Sequence, residues 1–246
     1  MKLGFYQLIN SRLANCIEEI HFHSRYSPSV DAYLIKEIFE KEIYRFQCAH
    51  EAPLIVDCGT NIGLGLLYFK TIYPDSRIVT FEADPLSASV ARKNINFLGL
   101  TGIDLVEKAI TDTTGSTDFF VFPDSLENIP VCSTFENALA RRRIIVESMA
   151  AAELPCLDNG VDFMKVDIEG GESNVISSLV ESGKLRKVKT FVIEYHHWVK
   201  QKYSFDEFLT VFKRHGFLME MVDEECAHPA YPETSGNSIL KFIRVD

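Results

Sequence analysis

No apolar run in the 246 residues approaches the roughly 18 to 20 needed for a membrane-spanning helix, so no membrane insertion is expected. No C-x-x-C pair occurs. Cys16, Cys48, Cys58, Cys132, Cys156 and Cys226 are scattered and read as reduced thiols that mostly fill the core. Positive charge is also in short supply: 25 Lys and Arg face 35 Asp and Glu, for a net charge of −10. That deficit opposes a broad grip on nucleic acid or anionic lipid, where phosphate neutralisation supplies most of the affinity. The stretch from Met1 to Ile9 is too short for an export-signal core, and Asn10, Ser11 and Arg12 follow it, so the expected location is cytoplasmic. Repeats and low-complexity tracts are missing too. What remains is ordinary globular composition, 46% hydrophobic and 24% charged, in a chain long enough to bury a large core.

The first fifty residues read as helical. Ser27 and Pro28 form an N-cap with proline in the first helical position, and Leu34, Ile35, Ile38, Phe39 and Ile43 recur at helical spacing. Residues 1–50 are therefore expected to form a helical lid or packing segment before a main domain over 51–246. From residue 54 the rhythm changes. Leu54-Ile55-Val56 is a continuous apolar run that meets a turn at Asp57 and Gly59, as a buried parallel strand does. A helix is expected over 61–73, a second strand over 77–82, and a helix opened by Asp84 and Pro85 and closed by Gly99. A third strand is expected over 103–110 and an alternating segment over 117–122. An insert spans about 123–160, where Ser133-Thr134-Phe135-Glu136 has the form of a capping box; Arg141-Arg142-Arg143 and Ile144-Ile145-Val146 after it fit either a continued helix or a new strand, and the three arginines suggest a solvated face. Strands over 161–168 and 189–195 flank a helix from Gly171 to about Ser182. Ser204 and Glu207 make a second capping box, and residues 217–222 and 238–245 make a closing antiparallel pair around a polar loop. Alternating strands and helices argue a doubly wound α/β sheet that is not purely parallel.

Asp57-Cys58-Gly59-Thr60-Asn61-Ile62-Gly63 lies where the first strand of this sheet enters its helix, the usual ligand position in such folds. Its spacing is not G-x-G-x-x-G, so the dinucleotide fingerprint fails and a nicotinamide-dependent oxidoreductase is only a secondary reading. Gly59 and Gly63 permit a tight turn and close backbone approach. Asp57 at the strand end is expected to face a cationic ligand group. Glu82, twenty-five residues later, ends the second strand, where a carboxylate accepts hydrogen bonds from both hydroxyls of a ribose. An acidic, glycine-turned pocket with a ribose acceptor suits an adenosyl ligand bearing an ammonium group, S-adenosylmethionine.

Five blocks carry a family resemblance: Ile55 to Gly63; Phe81-Glu82-Ala83-Asp84-Pro85 with Asn94; Lys108-Ala109-Ile110-Thr111-Asp112 with Gly115; Met164 to Glu172; and Val192-Ile193-Glu194-Tyr195-His196. In this order they resemble the FkbM-type methyltransferases, over about residues 52–198. The resemblance implies a seven-stranded Rossmann-like sheet, mostly parallel with one antiparallel strand. It also implies S-adenosylmethionine-dependent O-methylation, commonly of sugar or natural-product hydroxyls. Asp57, Gly59, Asn61 and Gly63 match the family's cofactor loop and Glu82 its ribose-binding acid. Ala109 and Ile110 stand where related folds hold the adenine, although plain strand packing explains them equally well. Thr60 stands where a small residue is usual, and Ala83 where proline is common.

Methyl transfer to a hydroxyl needs alignment of the acceptor oxygen and removal of its proton. Asp167 and Glu169 follow the fourth strand, and Glu194 and His196 end the fifth. His196 is the expected base, because imidazole titrates near neutrality, with Asp167 or Glu169 orienting the hydroxyl. Glu172 suits the positive end of a helix dipole. Asp167, Glu169, Glu194 and His196 are also an oxygen-rich set able to hold Mg²⁺, but metal-free catalysis is the preferred expectation. The expected partner is a small-molecule or glycan hydroxyl acceptor. Outside enzymes, the competing reading is a catalytically idle scaffold that keeps the fold.

Overall fold

The computed structural model describes residues 3–6, 20–121, 132–134, 142–225 and 236–245. At its centre is a seven-stranded sheet. Three strands run outward on one side, β3 (Leu54–Cys58), β4 (Arg77–Phe81) and β5 (Ile103–Val106), and four on the other, β9 (Val161–Val166), β10 (Val188–His196), β11 (Phe217–Glu225) and β12 (Asn237–Arg244). Their spatial order is β11-β12-β10-β9-β3-β4-β5. All neighbours from β10 through β5 are parallel, whereas β12 is antiparallel to both β10 and β11. The mostly parallel sheet with one reversed strand is thus as expected. Ile55, Val56 and Cys58 of β3 are entirely buried, as a strand covered on both faces requires.

Chain order places β4 on one side of β3 and β9 on the other, so the crevice beyond the carboxyl ends of β3 and β9 is a topological switch point. Helices α2 (Leu64–Ile72) and α3 (Pro85–Phe97) connect the first three strands of this sheet. Asp84 caps α3 by accepting a hydrogen bond from the Leu86 N–H, and Pro85 takes the first helical position. On the other half lie α4 (Glu172–Glu181) and α5 (Phe205–Arg214), the latter opened by the Ser204–Glu207 capping box.

Two expectations differ from what folds. The third strand ends at Val106, and residues 109–111 form a separate strand, β6 (Ala109–Thr111), in a second sheet. There β8 (Arg142–Ala150) lies between β6 and β7 (Gly115–Val121). Residues 103–110 read as one strand because apolar side chains recur at both ends, Ile103, Leu105 and Val106 and then Ala109 and Ile110; the break comes from β6 leaving the main sheet to pair with β8. Arg142 and Arg143 are therefore in a strand, and Arg143 pairs with Asp118 across the ladder on an exposed face. Ser133 bridges Phe120 in strand fashion; the helix expected after it, from residues 135–136 on, lies outside the described residues, as does most of the polar loop, at 226–235.

The first fifty residues are not wholly helical either. β1 (Leu3–Tyr6) pairs antiparallel with β2 (Ile20–His23) ahead of α1 (Pro28–Ile35), which runs on as a wider π-helical turn over Lys36–Glu40. The strand signal in 20–23 is a period of two, with Phe22 buried. Ile35, Ile38, Phe39 and Ile43 do pack inward, in one apolar cluster with Leu66, Phe69 and Phe163 from α2 and β9. This packs residues 35–43 against α2 and β9.

Candidate active site

Gly59 is the hinge of the site. Its φ is +92°, and a Cβ there would lie 1.8 Å from the Asp167 carbonyl oxygen, so the loop after β3 can touch the loop after β9 only with glycine. The N–H groups of Gly59 and Thr60 both donate to the Phe81 carbonyl, tying the same loop to β4. Asn61 follows with φ +55°, a conformation asparagine tolerates better than most residues. Gly63, at φ +91°, is the N-cap of α2 and packs against Ala91; it shapes the loop from behind.

A cleft of about 640 Å³, partly open to solvent, lies over this crossover. Gly59, Asn61, Glu82, Ala109, Ile110, Asp167 and Glu169 all line it, together with Lys108, Cys132 and Thr134. Asp57, Gly63, Glu194 and His196 do not.

Glu82 is buried, and its two oxygens accept hydrogen bonds from the Asn61 N–H (2.7 Å) and the Asp84 N–H (2.8 Å). Burial raises its pKa to about 7, against the opposing pull of those two backbone donors. Four acceptor sites less two leaves room for two ribose hydroxyls. The glycine cradle and this carboxylate both fit an adenosyl ligand.

Asp57 departs from expectation. It is 1% exposed and faces inward, accepting from the Thr80 hydroxyl at 2.7 Å and lying 3.3 Å from the Lys165 ammonium. Its cation is internal. Lys165 also sits 3.3 Å from Asp167 and donates to the Gly59 carbonyl at 2.6 Å. Burial opposes its charge, but Asp167 and Asp57 outweigh that and hold it protonated. This triad braces the two strand ends that form the crevice. Tyr44 adds a hydroxyl hydrogen bond to Asp167 at 3.1 Å, and Tyr26 donates to the Asn61 side chain at 2.6 Å. Asn94 accepts from the His23 N–H and donates to the Ile62 carbonyl, joining β2 to the cofactor loop. Arg25 pairs with Asp84.

The acidic end of the cleft is built on a strained turn. Glu169 adopts φ +59°, the left-handed region that costs a residue with a Cβ roughly 1 to 2 kcal/mol. The Ser133 hydroxyl donates to its carbonyl at 2.6 Å. Behind it, His196 is 1% exposed, with Nδ1 2.9 Å from Glu172 and Nε2 3.1 Å from Glu169 and 3.5 Å from Glu194. Burial disfavours an imidazolium there, yet Glu172 and Glu169 more than offset this and raise the pKa well above the usual value. A neutral imidazole facing the acceptor is therefore not what the surroundings favour. Glu172 is more than a helix-end charge. It is fully buried and accepts from the Gly170 N–H, the Gln201 amide and, at 3.3 Å, the Ile168 N–H. Burial raises the Glu169 carboxyl in turn, with His196 pulling the other way.

Sequence reasoning missed Tyr44 and Tyr26 as members of this site and read Glu172 only as a helix-end charge. The apolar stripe of the N-terminal segment carried a signal for Tyr44, but nothing local pointed it at Asp167.

Residues 57–219 match the Methyltransferase FkbM domain family. The chain is 27% identical over 197 residues to the methyltransferase sdnD of Sordaria araneosa, covering 66% of this chain and 73% of that one. It is 28% identical over 175 residues to Methyltransferase 1 of Beauveria bassiana (strain ARSEF 2860), covering 60% and 69%. Among solved structures, a precorrin-6y C5,15-methyltransferase from Geobacter metallireducens GS-15 aligns with a TM-score of 0.49 and 12% identity, over 91% of this chain and 94% of that one. That likeness is too loose to add to the strand order already described. With a family match that spans Asp57 to Gly63, Glu82 and the acidic turn at Glu169 together, this chain belongs to the FkbM-type S-adenosylmethionine-dependent methyltransferases.

Proposed function

We propose that the protein transfers a methyl group from S-adenosylmethionine to the hydroxyl of a small molecule, such as a sugar, glycoside or natural product. The observation that carries this reading is that Glu82 and the pair Asp167 and Glu169 line one cleft at the sheet's switch point. When bound, S-adenosylmethionine supplies a methyl group activated by a sulfonium. Glu82 accepts the ribose hydroxyls, Gly59 and Asn61 let the backbone approach, and Ala109 and Ile110 supply an apolar wall. Asp167 and Glu169 hold the acceptor hydroxyl, and one of them takes its proton as the oxygen gains the methyl group. His196 and Glu194 act from behind, fixing Glu169.

The acidic cleft and the net charge of −10 favour a neutral or cationic acceptor over nucleic acid. No helix among the described residues is long and apolar enough to cross a membrane. The test is a screen of hydroxylated sugars, glycosides and polyketide-like alcohols with methyl-labelled S-adenosylmethionine. Label in an O-methyl group supports the reading; label found only on nitrogen or carbon acceptors overturns the O-methylation part of it.

A further inference from the structure

The side chains at and behind the acidic end of the cleft are out of electrostatic balance. Asp57, Asp167, Glu169, Glu172 and Glu194 gather around two basic groups, Lys165 and His196. Lys165 is committed to Asp57, Asp167 and the Gly59 carbonyl. The remaining basic group is a single imidazole among Glu169, Glu172 and Glu194.

The ring of His196 is oriented in a specific way. Nδ1 lies 2.9 Å from Glu172, which is itself fixed by the Gly170 N–H and the Gln201 amide. A carboxylate held like this sets the tautomer, with the proton on Nδ1 and the lone pair on Nε2. Nε2 is buried and makes no hydrogen bond among the described residues. Glu169 and Glu194 approach it to 3.1 and 3.5 Å, but without the alignment of an N–H···O bond. A lone pair there would face carboxylate oxygens, so Nε2 carries a cation between them, either a proton or a metal ion that displaces it. One ligand atom each from Asp167, Glu169 and His196 falls within a 4.8 Å span, close enough to converge on one ion.

We propose that Asp167, Glu169 and His196 form a divalent metal site, with Glu194 beside it and Glu172 as the outer carboxylate that orients the histidine. One nitrogen and two carboxylates suit Mn²⁺ or Zn²⁺ better than Mg²⁺, which favours oxygen throughout. Metal–ligand distances near 2.0 to 2.2 Å require only a small contraction of this cluster. Because Asp167 and Glu169 also line the cleft, the ion would present an open position to the acceptor's oxygen. That use of the ion rests on the methyl-transfer reading; its binding does not.

A second cluster, Cys48, His50 and Asp162, is closer to the surface, and Asp162 is already taken by Lys189 and the Leu54 N–H. It serves as the control. The experiment titrates Mn²⁺ into the full chain without cofactor, reading bound ion by electron paramagnetic resonance and calorimetry. Folding of each variant is checked by circular dichroism. Expected is one saturable equivalent in the native protein and in His50→Gln. Glu169→Gln and His196→Gln should weaken it by about tenfold or more. Should His196→Gln fail to fold, Glu169→Gln decides, since that side chain is partly exposed. Lack of saturable Mn²⁺ binding, binding unchanged in Glu169→Gln, or binding lost in His50→Gln would each overturn the assignment. S-adenosylhomocysteine binding, measured on the same samples, reports separately on the methyltransferase reading.

Discussion

Replacing Glu82 with alanine separates cofactor binding from folding. In the folded protein this carboxylate accepts hydrogen bonds from the Asn61 and Asp84 N–H groups and has acceptor capacity to spare toward the cleft. A hydrogen bond to a charged group contributes about 1.5 to 3 kcal/mol, and a ribose would lose its ionic acceptor altogether. The expected loss of S-adenosylhomocysteine affinity is therefore about 1 to 3 kcal/mol, or roughly 5- to 150-fold in Kd. Stability should respond differently. Burial raises the Glu82 pKa from its ordinary value of 4.5 to about 7, a displacement of roughly 3 kcal/mol against the charged form. With the folded pKa above the unfolded one, that contribution is fully present below pH 4.5 and is lost as pH rises through about 7. At pH 8 the alanine removes a costly buried charge while leaving two backbone donors without an acceptor, and these effects partly cancel. The melting temperature should move little while affinity collapses. Calorimetric titration alongside thermal melts reads both. Native-like affinity in a folded Glu82→Ala protein would refute the ribose assignment.

Cofactor affinity of the unaltered protein should fall as pH drops below about 7, because protonated Glu82 gives up acceptor capacity; a flat profile from pH 8 to 5.5 would contradict this. Gly59→Ala should abolish cofactor binding, since its Cβ has to displace the Asp167 backbone; calorimetry showing retained affinity would mean that the two loops are not in contact. Lys165→Met leaves Asp57 and Asp167 facing each other without their cation and should cost about 3 to 5 kcal/mol of stability in urea unfolding. A loss under about 1 kcal/mol would show that the triad does not brace the crevice. Once an acceptor is found, Glu169→Gln should lower turnover by about 10²- to 10⁴-fold with cofactor affinity near normal, and unchanged turnover would remove Glu169 from the reaction.

How legible the molecule was depends on whether the signal was local. The Leu54–Val56 run, the Asp84-Pro85 helix start and the Ser204–Glu207 capping box each announce themselves within a few residues, and the sheet they build has the expected order of parallel and reversed strands. The cleft residues Gly59, Asn61, Glu82, Asp167 and Glu169 were legible as strand-end motifs for the same reason. Partnership across the sheet was not. Asp57 read as a ligand-facing acid because its cation, Lys165, is 108 residues away on a neighbouring strand. His196 read as a base because its own strand shows only Glu194; the clamp from Glu172 and Glu169 comes from the turn into α4. The orientation of His196 Nε2, on which the proposed cation site rests, is likewise invisible in a chain of letters. The break after Val106 is a third case, decided by the partner strand β8 rather than by the run itself.

The central claim is that the β3–β9 crevice holds the adenosyl group with its ribose on Glu82 and its reactive end toward Asp167 and Glu169. A crystal structure of the full chain with S-adenosylhomocysteine tests it most directly. Both ribose hydroxyls are expected within hydrogen-bonding distance of the Glu82 carboxylate, the adenine against Ala109 and Ile110, and the sulfur facing the Asp167–Glu169 turn. An adenosyl group bound outside this cleft, or one with its ribose turned away from Glu82, would contradict it.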